Sequence, residues 1–381
     1  GLIEVVGNDI PRIDYTDSED GALLLENSST NLITQSEAFD NAYWTKSGSS
    51  VTSGFTSPKG DLSAFKLVES VLNEQHRLYV TSPINIASGN VTKSFFVKNA
   101  GRSKISIYDY AWGESWATFN LNNGSVIDTG GVGFINSNIE LMTSGFYKIS
   151  MSFTPHAGGQ TRMGYHILND SYTSGTPSGY SYQGDGTSGV YIYGAMLEAN
   201  SVASSYIPTN GSTVQRAAET CNESGNSEVF NSQEGVLYVR MNAFDNNSRI
   251  SLSDGSTSNR VSFKIIDDNI DFQYRVGGSY SYRVNVDVNN YLTNKILISY
   301  NNGLFVGYLN GFAISDKISG TSLGDGVINR LNLNDGDVSD GFKGRVKEIG
   351  YYNEILTDLE LEKLTSYRSL NEMVTELNLN A

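Results

Sequence analysis

The chain has little of what most enzymes and disulfide-stapled scaffolds are built around. One cysteine, Cys221, stands in 381 residues, so an internal disulfide framework is excluded and Cys221 reads as a small buried or linker thiol. The three histidines, His76, His156 and His166, adjoin no Ser or Cys in a nucleophile motif, and no H-E-x-x-H or P-loop occurs. Cations are scarce: 26 Lys and Arg against 41 Asp and Glu give a formal charge of −15. Without a run of clustered cations, nucleic acid is not an expected partner. No stretch reaches ~18 apolar residues, so no membrane insertion is expected. No secretory signal is visible and the first residue is Gly, as expected of a processed chain or a part of a longer one.

Ser, Asn, Thr, Gly and Tyr fill the space that charge leaves, with 39 Gly and 23 Tyr. That composition predicts many short strands joined by polar turns rather than long helices. A chain longer than the roughly 250–300 residues at which one core stops growing predicts two domains. The fold class expected is all-β: two β-sandwich domains in tandem, with a short C-terminal helix.

Strand patterning supports this. In "FYKISMSFT" the residues Tyr147, Ile149, Met151 and Phe153 share one face. "WATFNLNNGSVID" reads as a hairpin turning at Asn123-Gly124, and "KILISYNNGLFVGYLNGFAI" as a three-stranded meander turning at Asn302-Gly303 and Asn310-Gly311. Thr357 to Glu360 has the spacing of a capping box, followed by an apolar face of Leu361, Leu364 and Tyr367. The boundaries read as a lead-in segment 1–30, a first sandwich 31–212, a linker 213–229, a second sandwich 230–368 and a tail 369–381.

Four stretches, "GALLLENSSTNLITQSEAFDNAYWTKSG" (21–48), "FFVKNAGRS" (95–103), "SGFYKISMSFTP" (144–155) and "GDGTSGVYIYGAMLEANSVASSYIPTNGSTVQRAAE" (184–219), together resemble a domain common in bacteriophage virion proteins. It looks like the tail and appendage modules built as carbohydrate-binding-type jelly rolls, over about 11–219. One departure stands in the first block, where the family has Arg before Thr-Asn and this chain has Ser29. Residues 228–368 resemble a laminin G-like or concanavalin A-like lectin sandwich, carried by "NNGLFVGYLNGFAI" and "FKGRVKEIGYYNEILTDLELEKL". The resemblance implies a non-enzymatic virion structural protein on the particle surface: a tail fibre, tail spike or head-appendage segment that attaches to a host cell-surface glycan. It further implies contact with other virion proteins and a symmetric homo-oligomer, a trimer being favoured. Two alternatives stand beside it: an architectural decoration or adaptor without a sugar ligand, and an accessory part of a polysaccharide-degrading enzyme.

The residues give the candidate sites. Concanavalin A-like glycosidases set paired acids at two-residue steps on one strand, whereas "VNVDVNN" offers only Asp287 and "VKEIGYY" only Glu348. No catalytic residue is therefore expected. Jelly-roll modules of the resembled type often hold a structural Ca²⁺ between first and last strands, which implies Glu26, Asn31 and Glu198 as oxygen ligands. The alternative is that Glu198 caps the last strand and accepts hydrogen bonds. Sugars are held by aromatic faces with adjacent polar groups, and three Tyr- or Trp-rich stretches qualify. They supply Tyr110, Trp112 and Trp116, then Tyr180 and Tyr182, then Tyr280 and Tyr282. The competing reading makes the same rings packing surfaces against neighbouring subunits. Trp44, in the first block, reads as structural.

Overall fold

A computed structural model describes residues 3–376, apart from 5, 8, 16–19, 87–88, 111–114, 156–158, 245–246, 267–268, 289–292 and 338–340. Strands dominate, joined near the C-terminus by two helices, Asp358–Thr365 and Leu370–Glu376. The chain divides into two compact units, Gly1–Val5 with Ser28–Ala217, and Val6–Asn27 with Ala218–Ala381. Each is an antiparallel β-sandwich, so the all-β, two-sandwich expectation holds.

The first unit packs two six-stranded sheets face to face. One runs in the order Phe134–Leu141, Tyr147–Phe153, Val91–Ala100, Gly189–Glu198, Ala64–Glu69, Ser49–Phe55; the other Ser125–Gly130, Trp116–Asn120, Lys104–Asp109, Met163–Leu168, His76–Val80, Trp44–Ser47. Alternation fills the space between them: Ile149, Met151 and Phe153 from one sheet meet Ile105, Ile107, Leu78 and Tyr165 from the other. Trp44 is buried there and donates its indole N–H to the Gln35 carbonyl at 2.9 Å, a structural role. The core also holds an ion pair that patterning did not reveal. Lys93 Nζ lies 2.8 Å from Asp109 Oδ1, and burial lowers the Lys93 pKa against the pull of Asp109.

In the second unit a five-stranded sheet, ordered Ser279–Asp287, Asn269–Val276, Arg260–Ile266, Arg249–Ser253, Arg330–Asn332, faces a larger one. The larger sheet includes Gly344–Tyr352, Glu234–Ala243, Asn294–Asn301 and Leu304–Leu309. Both predicted turns of the meander are formed, with φ of 43° and 90° at Asn302-Gly303 and 50° and 93° at Asn310-Gly311. Thr357 and Glu360 form the reciprocal capping box.

The N-terminal segment departs from the sequence reading. Residues 6–27, read as part of a lead-in, belong to the second unit, where Ile13–Asp14 and Ala22–Leu25 extend the larger sheet. Leu23, Leu24 and Leu25 pair with Val346, Arg345 and Gly344, and Leu25 is buried in that core. Arg12 binds Glu219 and Glu26, and Arg345 binds Asp14 at 2.5 Å, so local charge pairs hold the added strands. Within the segment read as a linker, Val214–Arg216 pairs with Ser29–Asn31 in the first unit, while 218–229 joins the second. Pairing of strands remote in sequence leaves no local signature, which is why the boundary reading missed both.

Candidate functional site

In the first unit the outward face of the Met163–Leu168 sheet gathers the aromatic residues. Because Leu78 and Val80 point inward, Arg77 and Tyr79 point out; by the same alternation Tyr108, Tyr110, Trp116 and His166 share that outward side. Gly164 lets Tyr110 lie against the sheet, since a Cβ there would stand 2.2 Å from the ring. Tyr110 stacks on His166 with ring centroids 5.3 Å apart, and its hydroxyl shares a hydrogen bond with His166 Nε2. Burial pushes the Tyr110 hydroxyl well above its ordinary pKa, so it stays protonated. Burial together with the Arg77 charge lowers His166 to about 3, so the ring is neutral.

Tyr79 lies 5.0 Å from Tyr110, and the Arg77 guanidinium sits 5.5 and 5.6 Å from the two ring centroids. Arg77, Tyr79, Tyr110 and Trp116 are all half-buried, a ledge of aromatic and guanidinium groups over the fully buried Tyr108 and His166. Trp116 lies over Gly130 and donates to Asp128 Oδ2 at 3.3 Å; Asp128 also accepts from Gly175 N at 2.8 Å.

The remaining sugar-binding candidates are distributed differently. Tyr180, half-buried, donates to Asn169 and packs edge-on against buried Tyr172. Tyr182 is not a platform: it is buried and donates to Glu69 Oε2 at 2.7 Å, beneath Arg102. Trp112 lies outside the described residues. In the second unit Tyr280 and Tyr282 lie on a strand rather than in a loop, and a bulge puts them on opposite faces. Tyr282 is a core residue with no free face, which corrects its assignment to a site. Tyr280 is exposed, with the guanidiniums of Arg275 and Arg283 at 4.9 and 4.8 Å from its centroid.

The residues implied for calcium each make hydrogen bonds or ion pairs within the chain. Glu26 belongs to the second unit and receives the Arg12 guanidinium at 2.6 Å, a cation already in place. In the first unit, Asn31 donates to the carbonyls of Ala195 and Ile207 and accepts from the amides of Ile33 and Leu197. Glu198 accepts from Ser29 Oγ at 2.6 Å, Ser204 N at 3.0 Å and Asn200 Nδ2 at 3.3 Å, besides the Ser204 hydroxyl. Glu198 ties the end of its strand to the exit segment, the capping role the sequence left open. Tyr206 and Ile207 continue that tie by packing inward, although Val202 is exposed.

Comparison with known proteins gives similarity of fold only. No family model and no curated protein matches the chain. Among solved structures, the CBM40 domain of a Ruminococcus gnavus IT-sialidase is 18% identical at a TM-score of 0.32, covering 39% of this chain and 97% of that domain. Mouse laminin α1 domains LG4-5 are 9% identical at a TM-score of 0.26, covering 73% of this chain and 86% of that one. The two-sandwich fold stands on the chain's own sheets.

Arg77, Tyr79 and His166 were missed as site residues. A period-two reading of "HRLYV", with Leu78 and Val80 inward, marks Arg77 and Tyr79 as an outward pair. Nothing local points to His166, which meets Tyr110 only across neighbouring strands.

Proposed function

We propose that this chain is a non-enzymatic glycan-binding protein whose first sandwich holds sugar on the Arg77–Tyr79–Tyr110–Trp116 ledge. The observation that supports it is a half-exposed aromatic pair, Tyr79 and Tyr110, fixed by a guanidinium and by Gly164 beneath. Rings held this way offer apolar area to sugar C–H groups with little conformational entropy left to lose, and Arg77 supplies donors for hydroxyls. The reading contains no catalytic step: His166 is buried and neutral, and its Nε2 is engaged by Tyr110. The finer reading, supported by the sequence resemblance, is display on a phage particle surface as a fibre, spike or appendage segment that attaches to host glycan.

The test is affinity electrophoresis through gels containing bacterial and algal polysaccharides, with Ca²⁺ and with EDTA. Retardation in at least one gel is expected, persisting in EDTA. Tyr79→Ala is expected to weaken it about tenfold, the scale of one lost aromatic contact, while leaving the melting temperature nearly unchanged. No retardation in any gel, or full retardation of the Tyr79→Ala protein, overturns the ledge as the site.

A further inference from the structure

The outward face of the second unit's five-stranded sheet is unlike the rest of this acidic chain. Ladder register sets three successive rows across it: Arg330, Ser253, Arg260 and Arg275 with Tyr280; Asn332, Ser251, Ser262 and Gln273 with Arg283; Arg249, Lys264 and Asp271 with Asn285. Six of the chain's 26 cationic side chains lie at these positions; Asp271 within the rows, and Asp335 and Glu223 beside them, pair with Arg283, with Arg249 and Arg260, and with Arg330. Neutral hydroxyl and amide groups separate them, and no aliphatic side chain interrupts the rows.

The cations lie at two depths. Arg249 and Arg260 are buried, both paired with Asp335 and both hydrogen-bonded to Gln273 Oε1. Burial and the neighbouring Arg249 push Arg260 down to about 10, which leaves it charged at neutral pH. Arg275 and Arg283 lie at the outer strands beside Tyr280. The Arg283 side chain is 48% exposed, yet it is fixed through Nε and Nη2 to the fully buried Asp271 carboxylate at 2.9 and 2.8 Å. Of five guanidinium N–H groups, two are spent on Asp271 and the outer ones remain for a ligand. Arg275 is fixed in turn by the Thr257 and Gly278 carbonyls.

We propose that Arg275, Tyr280 and Arg283 form a second binding site, for a polysaccharide bearing carboxylate or sulfate groups. A planar acid fits a guanidinium edge in two-point fashion. Nucleic acid, at one charge per ~1.7 Å of duplex, meets the repulsion of a −15 chain more strongly than a polymer with one acid per sugar or fewer. The site does not depend on the Tyr79–Tyr110 ledge, so each reading can fail without the other.

The test is calorimetric titration of the full chain with oligogalacturonate, sparsely substituted dextran sulfate oligomers, neutral dextran oligomers and single-stranded DNA, at low and high NaCl. Binding to oligogalacturonate or dextran sulfate is expected, with the stronger of the two identifying the acid, and it should weaken with salt. Arg283→Gln is expected to cost about tenfold or more in affinity, the scale of a charge-assisted hydrogen bond. Arg283→Lys keeps the charge beside Asp271 and should lose the two-point contact, and Tyr280→Ala removes an exposed ring without opening the core. Arg330→Gln makes the same charge change at the opposite edge of the sheet and should leave affinity within about twofold. Equal losses in Arg283→Gln and Arg330→Gln would mean diffuse attraction and overturn the site. So would equal or tighter binding of DNA, or no binding of either acidic oligomer. The Tyr79→Ala protein should bind the acidic oligomers like wild type, which keeps failure of the two sites distinguishable.

Discussion

His166 shows how burial sets chemistry at a single residue. Its folded pKa of about 3 lies below the ordinary 6.5, because burial and Arg77 both disfavour the imidazolium. The unfolded chain therefore takes up the proton first as pH falls, and stability present above pH 6.5 drains away between 6.5 and 3. By pH 4.5 the loss reaches roughly 2–3 kcal/mol, from about two pH units at ~1.4 kcal/mol each. Melting of the first unit followed from pH 7.5 to 4 should show this limb, and His166→Gln should flatten it. An unchanged limb in that variant would assign the acid sensitivity to other groups. Glu198 makes the complementary point, since its buried carboxylate is met by the hydroxyl of Ser29 and the amide of Ser204.

At the level of elements, the Ala22–Leu25 strand is the most informative piece. It is encoded beside the first sandwich but completes the second, pairing with Gly344–Tyr352 and burying Leu25. A chain starting at Ser28 should therefore lose stability mainly in the second unit, the first losing only the edge contacts of Ile3. Burial of Leu25 with its flanking contacts is worth about 3 kcal/mol, or roughly 6–12 °C for a unit of this size. Differential scanning calorimetry of the truncated chain should show the second unit's transition shifted down by this amount and the first unit's shifted far less. A shift of the first unit's transition instead would contradict the pairing. Gly164 is the matching device in the first unit, a missing Cβ that gives Tyr110 its seat.

On the scale of the whole molecule, weak single sites become useful through repetition, because linked copies raise effective concentration without new contacts. The virion-display reading therefore carries an expectation about assembly. Sedimentation equilibrium of the purified chain should give a multiple of the protomer mass, with three copies favoured. A monodisperse monomer at micromolar concentration would count against symmetric display and leave the glycan sites to act singly.

What the sequence determined by itself was local. Alternation placed Ile149, Met151 and Phe153 in a core, two Asn-Gly pairs set the meander, and Thr357 with Glu360 started a helix. Each of these depends on neighbours within a few residues. The tertiary structure decided the rest, through pairings across long stretches of chain. It lodged Tyr182 and Tyr282 inside while leaving Tyr110 and Tyr280 at the surface. For Tyr282 the cause is one extra residue in the strand, which reverses the face that follows. It set Arg77 over Tyr79 and Tyr110, and it assembled the six cations of the second sheet from five separate strands. Composition reports the total charge of a chain, but only ladder register determines which charges share a face.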